Sequence, residues 1–348
     1  MKRNIINSII CAIIIIVTII LAFMTFDATQ KKKAKAESLQ QQILAEENQQ
    51  KDNVVTPVQE KREFQEEQAK KLEQEKEAAK EKKEQAEKNK EKTKSSTEVI
   101  GSLNNFSVPD NVTKVRYGTS GEGRGLYYYK IGHGKKLLLL NFAIHGYEDG
   151  WAKDGYQLVN MAKYIISHLS EKEDEDGGLN GWTVYVIPTS NPDGLVDGYT
   201  NNGPGRCQVS EGIDVNRDFS GNFIHFNNSR NKTGFKPLQS PEARALAGLV
   251  NRLLDISPDL VVVDTHGWLD TTYGNARVAS YFDKQFYLDN KPVKNYEGGY
   301  FAGYAREKGA REVLVELPPP ANPQDMKNRK YNERMFKAVD NLIDNYQF

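Results

Sequence analysis

In the stretch LLLLNFAIHGYEDG, residues 137–150, a run apolar enough for a buried strand breaks into His145-Gly146-Tyr147-Glu148. An imidazole and a carboxylate three positions apart leave the carboxyl end of that strand together, at the edge where open α/β sheets place their active sites. Hydrolytic zinc sites take His and Glu ligands and keep one position open for water. HxxE alone is short, and its plainer reading is a half-buried histidine beside a surface glutamate. A ligand set needs a second imidazole. Residues 260–264, LVVVD, form another apolar run, and it ends in Thr265-His266-Gly267. Taken singly, His266 is more often a satisfied structural histidine; at a strand end matching that of HxxE, ligation is the better reading. The other histidines fit worse, because His133 lies between glycines, His168 at a polar helix end and His225 in a Gly/Asn-rich loop.

A metal site that hydrolyses amides also needs a base that takes and returns a proton, and charge to hold the substrate. Residues 313–318, VLVELP, end a third apolar run in Glu316. A carboxylate inside such a run is costly unless paired or functional; the alternative is a strand-end glutamate facing solvent. Arg206 and Arg217 lie between the two histidine strands in Gly/Asn-rich segments that favour turns. The planar arginine fork suits a carboxylate or a developing oxyanion, although an isolated arginine is usually a surface ion pair.

These residues need strands to carry them and helices to cover the strands. Residues 125–131, 136–142, 183–187, 260–264 and 313–315 read as strands, and 151–170, 240–255, 301–308 and 332–346 as helices. The alternation predicts an α/β domain over residues 100–348 with a mixed, mainly parallel sheet flanked by helices. The first hundred residues cannot supply a core. After a short tail, residues 1–4, residues 5–26 are almost continuously apolar and long enough for a transmembrane helix; no small-x-small cleavage site follows. Residues 27–99 are rich in Glu, Lys, Gln and Ala, with i,i+4 pairs such as Glu66 with Lys70, and are expected to form a charged helical or disordered stalk rather than a stable coiled coil. Lysines 31, 32, 33 and 35 outnumber Lys2 and Arg3, so flanking charge alone favours a cytoplasmic carboxyl side.

Lys+Arg and Asp+Glu balance at 47 each, which removes any charge argument for a nucleic-acid partner. Two cysteines, Cys11 in the apolar segment and Cys207 in the domain, exclude a disulfide scaffold.

The ordered motifs GTSGEGR (118–124), HGYE (145–148), NPDG (191–194), Gly205-Arg206, DVNRDF (214–219), SPEARAL (240–246), DTHGW (264–268) and VLVELP (313–318) resemble the zinc metallocarboxypeptidases. That family is typified by pancreatic carboxypeptidase A and includes bacterial enzymes that cut γ-D-glutamyl-diaminopimelate bonds in cell-wall peptides. The resemblance implies one Zn2+ held by His145, Glu148 and His266. It implies Glu316 as the glutamate that activates water and passes the proton on, and Arg206 as the arginine that polarises the scissile carbonyl. Asn216 and Arg217 match the pair that grips the substrate's terminal carboxylate. Tyr296 is nearest the position of the family's mobile tyrosine, with Tyr300 a weaker match, and Phe301 falls in its side-chain specificity region.

The chain departs from the pattern in three places. NRDF carries Asp218 beside the clamp, where an extra acid would weaken anion binding or recruit a cation. Tyr147 stands where digestive members have an arginine, and the tyrosine is shifted. The resulting expectation is a membrane-anchored zinc peptidase of carboxypeptidase type acting on peptides, with peptidoglycan stem peptides as candidates. Its extracellular placement rests on the family's substrates and on the stalk, against the charge count. The alternatives are a zinc deacylase of N-acyl amino acids and a module that binds peptide carboxylates without cutting.

Overall fold

A computed structural model describes residues 106–348 apart from 176, 292, 294 and 295. The expected anchor at residues 5–26 and stalk at 27–99 lie outside the described residues. Among the described residues, no helix is long and apolar enough to cross a membrane. In chain order the elements are β1 (Thr113–Thr119), β2 (Gly125–Gly132), β3 (Lys136–Phe142), α1 (Gly155–Glu173), β4 (Trp182–Ile187), α2 (Pro192–Val196), β5 (Thr200–Cys207), a 3-10 turn (Val215–Arg217), α3 (Pro241–Ile256), β6 (Leu260–Gly267), β7 (Thr271–Gly274), α4 (Ala276–Phe286), β8 (Asp289–Lys291), α5 (Phe301–Glu307), β9 (Arg311–Leu317), α6 (Pro323–Asn328) and α7 (Tyr331–Asn345).

Eight strands form one sheet in the order β1-β2-β4-β3-β6-β9-β7-β8. The central four, β4, β3, β6 and β9, run parallel. β1 and β2 are antiparallel additions at one edge, and β7 reverses direction against β9 at the other. The mixed, mainly parallel sheet expected from the alternating periods is therefore present. Its central strands are continuous apolar runs because helices cover both faces. The pleat sends Leu138, Leu140, Val184, Val261 and Val313 into a core with α1, α4 and α7. It sends Leu137, Leu139, Ile187, Leu260 and Val262 into a second core with α3 and α5.

Several boundaries move for local reasons. The helix expected from 151 begins at Gly155; Asp154 precedes it and turns its carboxylate back onto the N–H groups of Glu148 (2.5 Å), Gly150 (2.7 Å) and Trp151 (3.3 Å). β6 runs on to Gly267 and β9 to Leu317, placing His266 opposite Glu316 and Asn141 opposite Asp264 in register. Among the additions to the expected elements are helix α4, amphipathic and capped by Asn275, whose side chain accepts from the N–H groups of Arg277 and Val278, and β1, a largely exposed edge strand with no clean apolar alternation.

Helix α3 starts with Ser240, whose Oγ accepts from the Ala243 N–H at 3.2 Å, and Pro241 follows at the first helical position. Glu242 in its first turn is fully buried and accepts the Gly121 N–H of the β1–β2 turn at 2.8 Å. Burial pushes the Glu242 carboxyl from its ordinary 4.5 up to about 7, with the Gly121 N–H opposing and Asp193 reinforcing the shift. Between about 4.5 and about 7 the folded state holds a proton that the unfolded state has lost. This group therefore lowers stability as pH rises through that window. Glu242→Gln, which removes the titration, is expected to raise the thermal midpoint at pH 8 relative to wild type and to change it little at pH 4.5. Equal shifts at both values in thermal unfolding would contradict this assignment.

Candidate metal centre and substrate cavity

The carboxyl ends of β3 and β6 carry the ligand residues. Beyond β3 the chain turns sharply through Ala143, and His145 and Glu148 follow in a loop pressed against the loop of α2. A Cβ on Gly146 would lie 2.4 Å from the backbone of Gly194, so the HGYE loop accepts only glycine at its second position without rearrangement. The neighbouring motifs hold this packing: Asp193 pairs with Arg124 at 2.7 Å, tying the GTSGEGR turn to NPDG.

His145, Glu148 and His266 are all buried, and one ligating atom from each lies within 4.8 Å of the others. His145 Nδ1 is 3.3 Å from Glu148 Oε2, and His266 Nδ1 is 3.5 Å from Glu148 Oε1. The opposite ring nitrogens face carboxylates, with His145 Nε2 at 3.2 Å from Asp214 Oδ1 and His266 Nε2 at 2.9 Å from Asp264 Oδ2. An ionised carboxylate only accepts, so each Nε2 carries a hydrogen toward its aspartate, and Nδ1 is the ring nitrogen beside Glu148 that a metal would take in place of a proton. Glu148 Oε1 is buried without a hydrogen-bond donor. Burial works to raise the Glu148 carboxyl, and the two imidazoles bring it down to about 2, so it is an anion. Two imidazole lone pairs and an under-satisfied carboxylate form the His₂Glu donor set of a hydrolytic zinc site. These residues fit the ion.

Asp214 and Asp264 were not singled out from the sequence. Asp214 is fully buried, accepts the Asn216 N–H at 2.9 Å and lies 3.4 Å from Arg206 Nε. Burial opposes its charge, but His145, Arg206 and Arg217 hold its carboxyl far below the usual range. Asp264 accepts the Asn141 side-chain amide at 2.8 Å, so the orienting chain runs Asn141, Asp264, His266. Their signal was present: Asp264 ends the apolar run two positions before His266, and Asp214 opens DVNRDF.

A cavity of about 620 Å³ opens over these ligands, lined also by Arg206, Arg217, Glu316, Tyr296 and Tyr300. Glu316 reaches it from β9. Its Oε2 has no hydrogen-bond donor, and burial raises its carboxyl, with His266 opposing and Glu148 adding to the rise. Arg206 is nearly buried and tethered on its Nε side by Asp214, which leaves the rest of the fork to the cavity. Arg217 donates to the Asn216 carbonyl at 2.9 Å, and its guanidinium lies 4.0 Å from the centroid of the Tyr300 ring.

Two expectations are corrected by this geometry, those for Phe301 and Asp218. Phe301 is a core residue, wholly buried against Phe219 and Tyr304, and its side chain does not line the cavity. Asn216 lines the cavity; its Oδ1 accepts the Phe301 N–H at 2.9 Å, and its Nδ2 lies 3.2 Å from His266 Nε2. Tyr296 forms part of the wall, yet its hydroxyl donates to the Tyr273 carbonyl at 3.0 Å, and the aromatic in contact with Arg217 is Tyr300. Asp218 is buried away from the cavity and accepts the Ser240 N–H at 2.6 Å, so it anchors the entry of α3 rather than competing at the clamp.

Comparison with known proteins agrees with this geometry. Bacteriocin BCN5 of Clostridium perfringens is 38% identical over 238 residues, which are 67% of this chain and 26% of that protein. The chain thus spans about a quarter of that relative's length. Carboxypeptidase A of Helicoverpa armigera shares the fold at a TM-score of 0.53 and 18% identity, over 70% of this chain and 69% of that one. Bovine thrombin-activatable fibrinolysis inhibitor, solved with tick carboxypeptidase inhibitor, does so at 0.55 and 15% identity, over 72% of this chain and 95% of that one. Residues 99–277 match the zinc carboxypeptidase family, the M14 peptidases. With that match, and with three buried ligands able to hold the family's single zinc ion, the chain belongs to the zinc carboxypeptidase family.

Proposed function

We propose that this chain hydrolyses peptide bonds near the free carboxyl end of its substrates, with Glu316 as general base. The convergence of His145, Glu148 and His266 with Glu316, Arg206 and Arg217 on one cavity carries this reading. Zinc, when bound, supplies Lewis acidity toward a carbonyl and makes water a nucleophile near neutral pH. Glu316 sits in register beside His266, its free oxygen able to take a proton from the attacking water and return it to the leaving amine. Its raised carboxyl fits both halves of that task. Arg206 presents N–H groups to the carbonyl oxygen as negative charge develops there, held in orientation by Asp214. Arg217 takes the terminal carboxylate, its fork kept in plane by the ring of Tyr300.

The same proposal places the domain outside the cell, tethered by residues 5–26 and acting on cell-wall peptides. Support comes from the apolar segment and charged stretch in the sequence, from the cell-wall enzymes the motifs resemble, and from a relative that bears the name bacteriocin. The test is digestion of peptidoglycan-derived peptides, ordinary peptides and N-acyl amino acids by the full chain, with product masses. Cleavage of N-acyl amino acids alone would replace this reading with the deacylase. Protease treatment of intact cells checks the placement, and a domain that survives until lysis removes it.

Glu316→Gln is expected to keep one zinc per chain and to lose about 10²–10⁴ in kcat, as read by metal analysis beside steady-state kinetics. Near-normal turnover in that variant would take Glu316 out of the mechanism. Arg217→Met should raise KM for peptides with a free carboxyl terminus and leave amidated peptides unaffected. Tyr300→Ala should raise the same KM by about 2–30-fold, the range expected for losing a cation–π contact. Tyr296→Phe should have a smaller effect; the reverse order would restore Tyr296 as the substrate tyrosine.

A further inference from the structure

Asp154 is a buried carboxylate with four N–H donors around it and, among the described residues, no ion-pair partner. Its Oδ1 accepts from Glu148 N–H at 2.5 Å, and its Oδ2 from Gly150 N–H at 2.7 Å and Trp151 N–H at 3.3 Å. The fourth donor is Trp268 Nε1, at 2.8 Å from Oδ2. Three of these donors belong to the loop that carries Glu148. The fourth belongs to the residue two positions after His266. One carboxylate thus joins the two chain segments, far apart in sequence, that supply the metal ligands. Two further contacts close the same junction. Trp151 and Trp268 stack with ring centroids 6.1 Å apart at 15°. Gly155, opening α1, donates its N–H to the Gly146 carbonyl at 3.2 Å, and a Cβ there would meet the carbonyl oxygens of His145 and Gly146 at 2.8 Å.

We infer that Asp154 is a positioning residue for the metal centre: its carboxylate, with the Trp268 indole, clamps the HGYE loop to the end of β6 and presets the distance between Glu148 and His266. Asp154 touches none of the reacting groups and ligates nothing. Its burial against backbone N–H groups lets it fix main chain on both sides, which no flexible side-chain pair does as well. Four charge-assisted hydrogen bonds on one buried carboxylate hold against loop motion, and removing one acceptor oxygen leaves buried donors unpaired. The Asp214 and Asp264 contacts set the ring orientation of each histidine; Asp154 sets how the two segments stand to one another. The inference rests on His145, Glu148 and His266 holding the zinc ion.

The test compares the full chain with Asp154→Asn and with Trp268→Phe, which removes one donor and keeps an aromatic ring for the stack. Zinc affinity is read by competition with a chromogenic chelator, and amide hydrogen exchange of the metal-free protein is followed across residues 148–151 and across α1. Asp154→Asn is expected to weaken zinc binding by about 10–100-fold, the range for losing a partner that supports ligands from outside the metal's own shell. Trp268→Phe is expected to weaken it less. Both variants should exchange the Glu148, Gly150 and Trp151 amides faster while α1 stays protected. If Asp154→Asn fails to fold, Trp268→Phe decides alone. Wild-type zinc affinity in Trp268→Phe, with unchanged exchange at 148–151, overturns the clamp. Uniform loss of protection through α1 also overturns it, because that makes Asp154 a general support of the helix. A wild-type protein that takes up no zinc overturns the metal reading, and the clamp with it.

Discussion

The charge buried at the carboxyl edge of the central strands constrains everything around it. Glu148, Asp154, Asp214 and Asp264 are all within 1% of full burial. An ionised carboxyl taken out of water without partners is strongly destabilising, so each of these four needs donors from fixed positions. Asp154 has backbone N–H groups and an indole, Asp214 an imidazole, a backbone N–H and the adjacent positive charge of Arg206, and Asp264 an imidazole and the Asn141 amide. Glu148 faces two imidazole nitrogens and keeps an oxygen with no donor. A divalent cation between those three side chains completes the set.

The parallel sheet makes this concentration of charge workable. Register places Asn141 beside Asp264 and His266 beside Glu316, so neighbouring strands deliver a ligand, its orienting acid and a further carboxylate within one layer. Residues alternate across the pleat, and the apolar run beneath each strand end supplies a low-dielectric floor on which those polar groups interact strongly. The loops beyond the strand ends bring the positive side of the site, Arg206 from β5 and Arg217 from the 3-10 turn. Arg217, lying over the ring of Tyr300, links the cavity to the start of α5. That same start is held by Asn216, whose Oδ1 accepts the Phe301 N–H.

Residue identity and order alone determined the ligand triad, that Glu316 and both arginines belong with it, and the alternation that makes a mainly parallel sheet. These were legible because each sits at a break in an apolar run, and such breaks are visible without coordinates. Tertiary structure decided what the remaining side chains do. Phe301 and Tyr296 lie near the cavity in chain order, but one side chain turns into the core and the other ties its hydroxyl to Tyr273. Asp218 reads as an intruder beside the clamp and is instead an anchor for α3. Asp154 reads as one more polar residue at a helix start, and only the fold brings Trp268 to it from 114 positions away. The physical reason is common to all of these. A strand end announces itself by local hydrophobic pattern, whereas the direction of a side chain and the donors it meets depend on which distant segments the sheet order sets side by side.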